Sequence, residues 1–517
     1  MKIVYIGISS KFIHTMPAGW FLSEYLKHRG IAVTEIYSNI NMPYQGILSQ
    51  VLAEKPDKLL VSVYIFNATL LKKLIKDIKK FLPLCEIIVG GPEADEWVGA
   101  HKVIKGEGEQ ALYEYLTKGK IDTLCPLEDL DAIPSPYTKD RVLSSQNKLI
   151  YYESSRGCPF HCSYCMASNS KKVRYFSLDR VKEDLTNLVS WGVKIIKFTD
   201  RTFNANTQRT DAILTFIKEK FSNSETCFHF EVGGDLFKQS SLEILKELPK
   251  GLVQIEAGVQ SLNLKTLKAV NRKFDKEKFI NNISQIIGFG NIHTHLDLIA
   301  GLPYEDKESF ISSFNQTIAL RPHMLQLGFL KFLKGTPIRQ TYNAEYSKTP
   351  PYEIISSTWL SKEDIAELKK VEYVLDKLYN TNRFHFTLRH LFEKYKNPYQ
   401  ALKNIAYFFD EKGLKRGMSL NTIYQTMLEF MNYQKAKDLL RLDFVISNNS
   451  RKIPRPIKEP YDADFKLFLQ RHPQDRYVLY QRFSYLPDKP KGNYVVKVDY
   501  SKRDKVSSLY EWQIIKG

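Results

Sequence analysis

Arg156-Gly157-Cys158-Pro159-Phe160-His161-Cys162-Ser163-Tyr164-Cys165 decides the reading of this chain. Three cysteines stand at i, i+4 and i+7 in a short loop that follows an apolar run, Leu149 to Tyr152. Thiolates so closely spaced can converge on one soft metal centre, and an iron–sulfur cluster is the natural candidate. Three ligands are one short of four, so one iron is left open to bind something else. A structural zinc site would want a fourth Cys or His, and His161 is expected to point elsewhere if the cysteines converge. An open iron on a loop of a β/α scaffold is a place for chemistry.

The rest of the chain is consistent with an ordinary globular protein. Its 517 residues are enough for two to four domains, and 43% of them are hydrophobic. No apolar run approaches the roughly 18–20 residues of a membrane-spanning helix. Met1 to Gly7 is followed at once by polar Ser9, Ser10 and Lys11, so it reads as a first strand rather than a signal peptide. A cytoplasmic protein without membrane association is expected. The remaining cysteines, Cys85, Cys125 and Cys227, are scattered and read as reduced thiols rather than a disulfide framework.

Residues 1–118 alternate strands and helices. Strands are expected at Lys2–Gly7, Ala32–Tyr37, Lys58–Tyr64 and Glu86–Val89, with helices at Ala18–His28 and Thr69–Phe81. Gly106-Glu107-Gly108-Glu109 opens a last helix. This pattern predicts a doubly wound parallel sheet that binds ligands at the carboxyl ends of its strands. Residues 119–148, with Pro126, Pro134 and Pro136, read as a linker. From 149 to 342 the alternation resumes. Strands are expected at Leu149–Ser154, Lys194–Thr199, Cys227–Val232, Leu252–Ala257, His293–Ala300 and Met324–Leu330, with a helix after each of the first five. Six β/α units suggest a partial TIM-type barrel, whose chemistry lies at the carboxyl ends of the strands. Beyond 343 the character changes to helical patterns at Lys362–Tyr379 and Leu420–Leu440, then an aromatic, basic tail with a strand at Asn493–Tyr500.

The Cys-x3-Cys-x-aromatic-Cys spacing resembles that of the radical S-adenosylmethionine (SAM) superfamily. That resemblance implies a 4Fe-4S cluster on Cys158, Cys162 and Cys165, with SAM chelated to the open iron. Glu256-Ala257-Gly258-Val259-Gln260-Ser261, Asn271-Arg272 and Asp297-Leu298-Ile299-Ala300-Gly301-Leu302-Pro303 resemble strand ends of the radical SAM group that includes oxygen-independent coproporphyrinogen oxidase. The family pattern makes Gln260 and Asp297 partners of the SAM ribose and Arg272 the partner of its carboxylate. The chemistry agrees, since a guanidinium fork suits a carboxylate and amide or carboxylate side chains suit vicinal hydroxyls. Glu231 is a further candidate for the methionine end, and Tyr164 is expected beside the adenine. Asp200 stands where many members carry a Gly-Gly-Glu run, and the resemblance makes it a further candidate for cofactor binding.

Lys55-Pro56-Asp57…Ser62-Val63-Tyr64, Gly90-Gly91-Pro92-Glu93 and Gly106-Glu107-Gly108-Glu109 resemble the cobalamin-binding domain that precedes many radical SAM domains. One departure concerns the Asp-x-His-x-x-Gly motif that supplies an axial ligand in some of those domains. The matching window, Phe12 to Pro17, keeps only His14. Without the aspartate, His14 lacks the partner that usually tunes a metal ligand.

The fold expected is thus α/β: an N-terminal Rossmann-like cobalamin-binding domain, a central partial TIM (β/α)6 barrel and a C-terminal α+β extension. The function expected is reductive cleavage of SAM to a 5′-deoxyadenosyl radical that abstracts hydrogen from an unactivated carbon, with cobalamin-dependent methyl transfer as the outcome where cobalamin binds. An electron donor such as flavodoxin or ferredoxin is implied. Two other readings stay open, radical modification of a nucleic acid or metabolite without cobalamin, and a non-catalytic cobalamin or redox sensor. A methylthiotransferase is disfavoured because residues 1–118 hold only Cys85, too few for a second cluster. From Thr381 to Gly517 there are 26 Lys and Arg against 14 Asp and Glu, +12 of the chain's net +18. A basic, aromatic tail can bind nucleic acid or close the open side of a six-unit barrel, and closure is the expectation.

Overall fold

The computed structural model describes residues 1–94, 97–122, 126–169, 172–413, 417–472 and 475–516. Cys125 lies outside them. The chain divides into two compact units, residues 1–256, 265–282 and 329–358 in the first, and 257–264, 283–328 and 359–517 in the second.

The first unit begins with five parallel strands, β1 (Ile3–Ser9), β2 (Thr34–Asn39), β3 (Lys58–Ser62), β4 (Glu86–Gly90) and β5 (Lys102–Ile104), in the order β2-β1-β3-β4-β5. Every residue of β1 is buried, as a central strand covered on both faces requires. The helix Ala68–Phe81 buries Leu71, Leu74, Ile75 and Ile78 and turns its lysines outward. Asn67, fully buried, donates to the carbonyls of Ile8 and Ser62 and accepts from the Tyr64 amide, tying the carboxyl ends of β1 and β3 together. The helix Tyr44–Glu54 and strand β5 were not expected. Pro43 and Gly46 make the start of that helix look like a turn, and only Ile47, Leu48 and Val51 are buried on it.

The next strands are β6 (Ile150–Tyr152), β7 (Ser155–Arg156), β8 (Arg174–Tyr175), β9 (Ile195–Phe198), β10 (Cys227–Val232), β11 (Val253–Gln260), β12 (His293–Ala300) and β13 (Met324–Phe329), of which all but β7 and β8 share one sheet. In the first unit β6, β9, β10 and the start of β11 lie side by side, with β6–β9 and β9–β10 parallel. In the second, the end of β11 is followed by β12 and then by the edge strand β13. Buried and half-buried residues alternate along β10 and β11, so one face of each strand packs under the helices and the other faces the barrel interior. β7 and β8 form a separate two-residue antiparallel ribbon. A short antiparallel pair, β14 (Ala344–Tyr346) and β15 (Ile354–Ser357), completes the first unit.

In the second unit the extension is helical and then stranded, with β16 (Val478–Phe483), β17 (Tyr494–Arg503) and β18 (Tyr510–Lys516) in one antiparallel sheet. The helical stretch expected at Leu420–Leu440 is two helices, Leu420–Met431 and Gln434–Ser447. Asn432 ends the first in the left-handed region at φ +42°, a conformation asparagine tolerates better than most residues. The extension reaches the barrel edge through Asn380. Its side-chain amide accepts from the Leu325 amide and donates to the Leu325 carbonyl, both at 2.9 Å, occupying groups of β13 that no neighbouring strand pairs.

Candidate active site

The cysteine loop runs from β7 to β8. Cys158 and Cys162 are buried, Cys165 is half-buried, and all three are free thiols. The loop is fastened by backbone bonds from Ser163 to the Val270 carbonyl (2.9 Å) and from Ile338 to the Ser163 carbonyl (3.0 Å), and Asn271 Nδ2 donates to the His161 carbonyl at 3.0 Å. The His161 ring is bonded through Nδ1 to the Ser168 carbonyl, 3.0 Å away. Burial pushes the Cys165 thiol up, and its neighbours Cys158 and Cys162 push it in the same direction. Three closely spaced sulfurs, two buried and one half-buried, are a soft donor set that a cationic iron centre would stabilise.

Arg272 follows Asn271, whose φ is +52°. Its Nη1 lies 3.4 Å from the Tyr164 hydroxyl and 3.8 Å from Cys162 Sγ, which brings the guanidinium to the cysteine loop. Asp200, almost fully buried, accepts from the Ser154 amide (2.9 Å), the Ser154 hydroxyl (2.5 Å) and the Ser155 amide (2.7 Å). It therefore fixes the backbone that leads from β6 into the cysteine loop. Glu231, near the end of β10, has Oε1 3.9 Å from Lys197 Nζ. Lys197 itself bonds Glu256 at 2.8 Å, and His229 Nε2 is 3.0 Å from the same Glu256 oxygen. Lys197, His229 and Glu256 were not singled out from the sequence. Their signal is a polar residue at an inward position between buried apolar ones.

In the second unit Gln260 ends β11 at φ +66°, a left-handed conformation that costs on the order of 1 kcal/mol outside glycine. Its Oε1 is buried and has no hydrogen-bond partner among the described residues, as expected of an acceptor aimed at a ligand. Asp297 has Oδ1 3.0 Å from His295 Nε2. Behind Gln260, the hydroxyls of Ser261 (2.5 Å) and Ser313 (3.2 Å) donate to Glu305, which is fully buried. The Leu262 amide bonds Ser313 Oγ at 3.0 Å, closing the knot.

Burial pushes Glu305 up to about 7, above an ordinary value of 4.5, and the serine hydroxyls only partly oppose this. A raised carboxyl favours the folded state at low pH, and that contribution is lost as pH rises from about 4.5 through about 7. Glu305→Gln should therefore flatten the pH dependence of stability across this window. It should match or exceed the wild type at pH 8, by up to about 3 kcal/mol, in denaturant titrations of both proteins at pH 5 and pH 8.

Also in the first unit, a cavity of about 780 Å³ lies at the carboxyl ends of β3, β4 and β5. Ser62, Tyr64 and the backbones of Gly90, Gly91, Gly106 and Gly108 line one side, and Arg156, Gly157, Met166, Ala167 and Arg201 another. Its size falls in the range of small-molecule and cofactor sites. A Cβ on Gly91, at φ +102°, would stand 2.5 Å from the Val63 carbonyl oxygen, so this wall is built by close backbone packing. His14 is bonded through Nδ1 to the Tyr151 hydroxyl at 2.8 Å, and burial lowers its pKa.

A thiol triad thus stands on a loop behind the first strand of a β/α barrel, with an arginine at one of its sulfurs. Residues 152–316 match the radical SAM superfamily and are a radical SAM domain. Residues 340–511 match a family described as "Protein of unknown function (DUF4080)". An uncharacterised methyltransferase of Pyrococcus horikoshii is 24% identical over 318 residues, covering 54% of this chain and 66% of that protein. TokK, a cobalamin-dependent radical SAM methyltransferase of Streptomyces tokunonensis, is 24% identical over 325 residues, covering 53% of this chain and 47% of that protein. The chain thus spans less than two thirds of each relative's length.

Two solved structures share the fold. TsrM, a radical SAM methyltransferase from Kitasatospora setae with cobalamin and a [4Fe-4S] cluster bound, aligns with a TM-score of 0.54 at 16% identity, over 68% of this chain and 82% of its own. OxsB, a cobalamin-dependent SAM radical enzyme with aqua-cobalamin bound, aligns with a TM-score of 0.57 at 14% identity, over 91% of this chain and 84% of its own. The expected fold, a Rossmann-like domain followed by a radical SAM barrel, is the one found. Among the described residues no helix is long and apolar enough to cross a membrane.

Proposed function

We propose that this protein is a cobalamin-dependent radical SAM methyltransferase acting on an unactivated carbon. The observation that carries this reading is the thiol triad with Arg272 Nη1 at Cys162 and Tyr164. When bound, a reduced cluster with SAM supplies a carbon-centred radical able to remove hydrogen from carbon, and cobalamin supplies a transferable methyl group.

The protein's residues bind and orient. Cys158, Cys162 and Cys165 hold the iron, Arg272 takes the SAM carboxylate, and Tyr164 lies beside the adenine. Gln260 accepts from a ribose hydroxyl, and Asp297 takes the other. Glu231 is assigned to the methionine amine, and Asp200 is a positioning residue for the approach to the cysteine loop. The domains are assigned as residues 1–118, 149–342 and 343–517, with 119–148 as linker. Flavodoxin or ferredoxin in the cytoplasm would supply the electron.

The cavity supports cobalamin through its place at the carboxyl ends of the parallel strands and its glycine-built wall. Because His14 is not among the residues lining the cavity, the cobalamin is proposed to bind without histidine ligation. Anaerobic reconstitution should give about four irons per chain and 5′-deoxyadenosine on reduction with SAM. Added hydroxocobalamin should be retained through gel filtration. His14→Ala should leave its absorption spectrum unchanged and its affinity within about twofold. Cobalamin that never co-elutes, from a protein that still cleaves SAM, would favour the second reading, radical chemistry without cobalamin. The absence of His14 from the cavity lining is what keeps that reading in view.

A further inference from the structure

The neck of the cysteine loop is the ribbon of β7 and β8, in which Ser155 pairs with Tyr175 and Arg156 with Arg174. It is a tight neck: Gly157 sits at φ +102°, and a Cβ there would stand 2.4 Å from the Lys172 carbonyl oxygen. Arg156 divides its guanidinium among three carboxylates. Nη1 donates to Glu107 at 3.0 Å, Nη2 to Glu109 at 2.7 Å and Nε to Glu153 at 2.9 Å. Arg174, across the ribbon, holds the same Glu107 through both of its terminal nitrogens. Glu107 therefore grips both strands of the neck, and Arg156 is only 12% exposed.

Glu107 caps and Glu109 opens the helix Gly108–Lys118 that follows β5, 49 and 47 residues before Arg156. That segment has a second role. Gly106, Glu107, Gly108 and Glu109 wall the 780 Å³ cavity, and Gly157, Met166 and Ala167 of the cysteine loop border it too. One four-residue segment thus touches whatever fills the cavity and holds the base of the iron-binding loop.

We propose that Glu107 and Glu109 are positioning residues for the cluster, acting through Arg156 and Arg174, and that their segment couples occupancy of the cavity to the cluster. This rests on the reading that Cys158, Cys162 and Cys165 hold iron. Coupling of this kind is reciprocal: a cavity ligand that holds the segment in place stabilises the cluster, and the cluster favours the ligand to the same degree. The carboxylates and guanidiniums also place fixed charges in a half-buried neck, where they act more strongly than in water.

The sign of that charge separates positioning from general loosening. Wild type, Glu107→Gln, Glu109→Gln and Arg174→Gln would be reconstituted anaerobically. Iron content, midpoint potential and the rate of iron loss to a chelator would be read with and without hydroxocobalamin. All four proteins should take up iron, and the three variants should lose it several-fold faster than wild type. Removing a carboxylate should raise the midpoint potential, because an added electron is then less opposed, whereas Arg174→Gln should lower it. Hydroxocobalamin should slow iron loss in wild type and have little effect in Glu107→Gln. Potentials that stay at the wild-type value, or move the same way in Glu107→Gln and Arg174→Gln, overturn the proposal. So does equal protection of wild type and Glu107→Gln by hydroxocobalamin, or none in either. Wild-type protein that takes up no iron at all removes the parent reading and this inference with it, whereas iron-loaded protein with insensitive variants removes this inference alone.

Discussion

Cys162→Ala is expected to leave anaerobically reconstituted protein with little iron and no reductive cleavage of SAM. Cys162 is 6% exposed, and it is the sulfur approached by Arg272 Nη1. Its loss removes one of three thiolates and leaves a buried guanidinium without that acceptor. Two thiolates are too few to hold a cluster, so the effect on cleavage should be complete rather than graded. Cys85→Ala and Cys227→Ala are the controls. Burial pushes those thiols up to about 11 and about 12, so they remain protonated at neutral pH and poor ligands. Both should keep the wild-type iron content. A variant lacking Cys158, Cys162 and Cys165 together that still carries full iron and cleaves SAM would falsify the assignment.

The cysteine loop could be read from sequence because its donors are neighbours in the chain, and spacing alone brings them together. β10 and β12 have the bounds expected, Cys227–Val232 and His293–Ala300, because apolar alternation starts and stops cleanly there. What escaped was non-local. Arg156 meets Glu107 across 49 residues, and nothing in the Gly-Glu-Gly-Glu run marks its acids as partners of a distant arginine. Lys197, His229 and Glu256 meet only when three strands pack side by side. Glu305 reads as an ordinary charge after Gly-Leu-Pro-Tyr, yet it is fully buried under Ser261 and Ser313. Asp200, expected at the cofactor, spends its oxygens on Ser154 and Ser155. The helices His385–Tyr395 and Pro398–Glu411 were also missed, since their apolar faces are interrupted by aromatic and basic residues that read as a mixed surface.

Removing residues 451–517 is expected to cost the extension its fold rather than trim a dispensable tail. The removed segment supplies the partners of two buried charges. Arg441, 1% exposed, donates to the Arg482 carbonyl at 2.7 Å and to Glu459 at 3.4 Å. Asp438 accepts from the Ser484 and Tyr485 amides, both at 2.8 Å. Phe483, Leu486, Val496 and Val498 leave the core with them. Stripping partners from a buried ion costs about 3–5 kcal/mol, which predicts a melting temperature lower by roughly 10 °C. If the extension covers the barrel, the truncated protein should also form 5′-deoxyadenosine without modified product, because water and buffer reach and quench the radical. The rival role, nucleic-acid binding, would use the basic aromatic residues of the tail. Arg482 already pairs with Asp462, and the Arg476 guanidinium lies 4.5 Å from the Tyr477 ring centroid. Each guanidinium thus has an acidic or aromatic partner on the protein's own surface. Full-length protein should therefore bind tRNA weakly, and an Arg476→Ala, Arg482→Ala double variant should bind it no less well. The opposite result is a tRNA affinity falling with a log–log salt slope of about −0.7 per phosphate contacted. If the double variant loses that affinity while SAM cleavage stays normal, the tail is a nucleic-acid interface and the covering role is wrong.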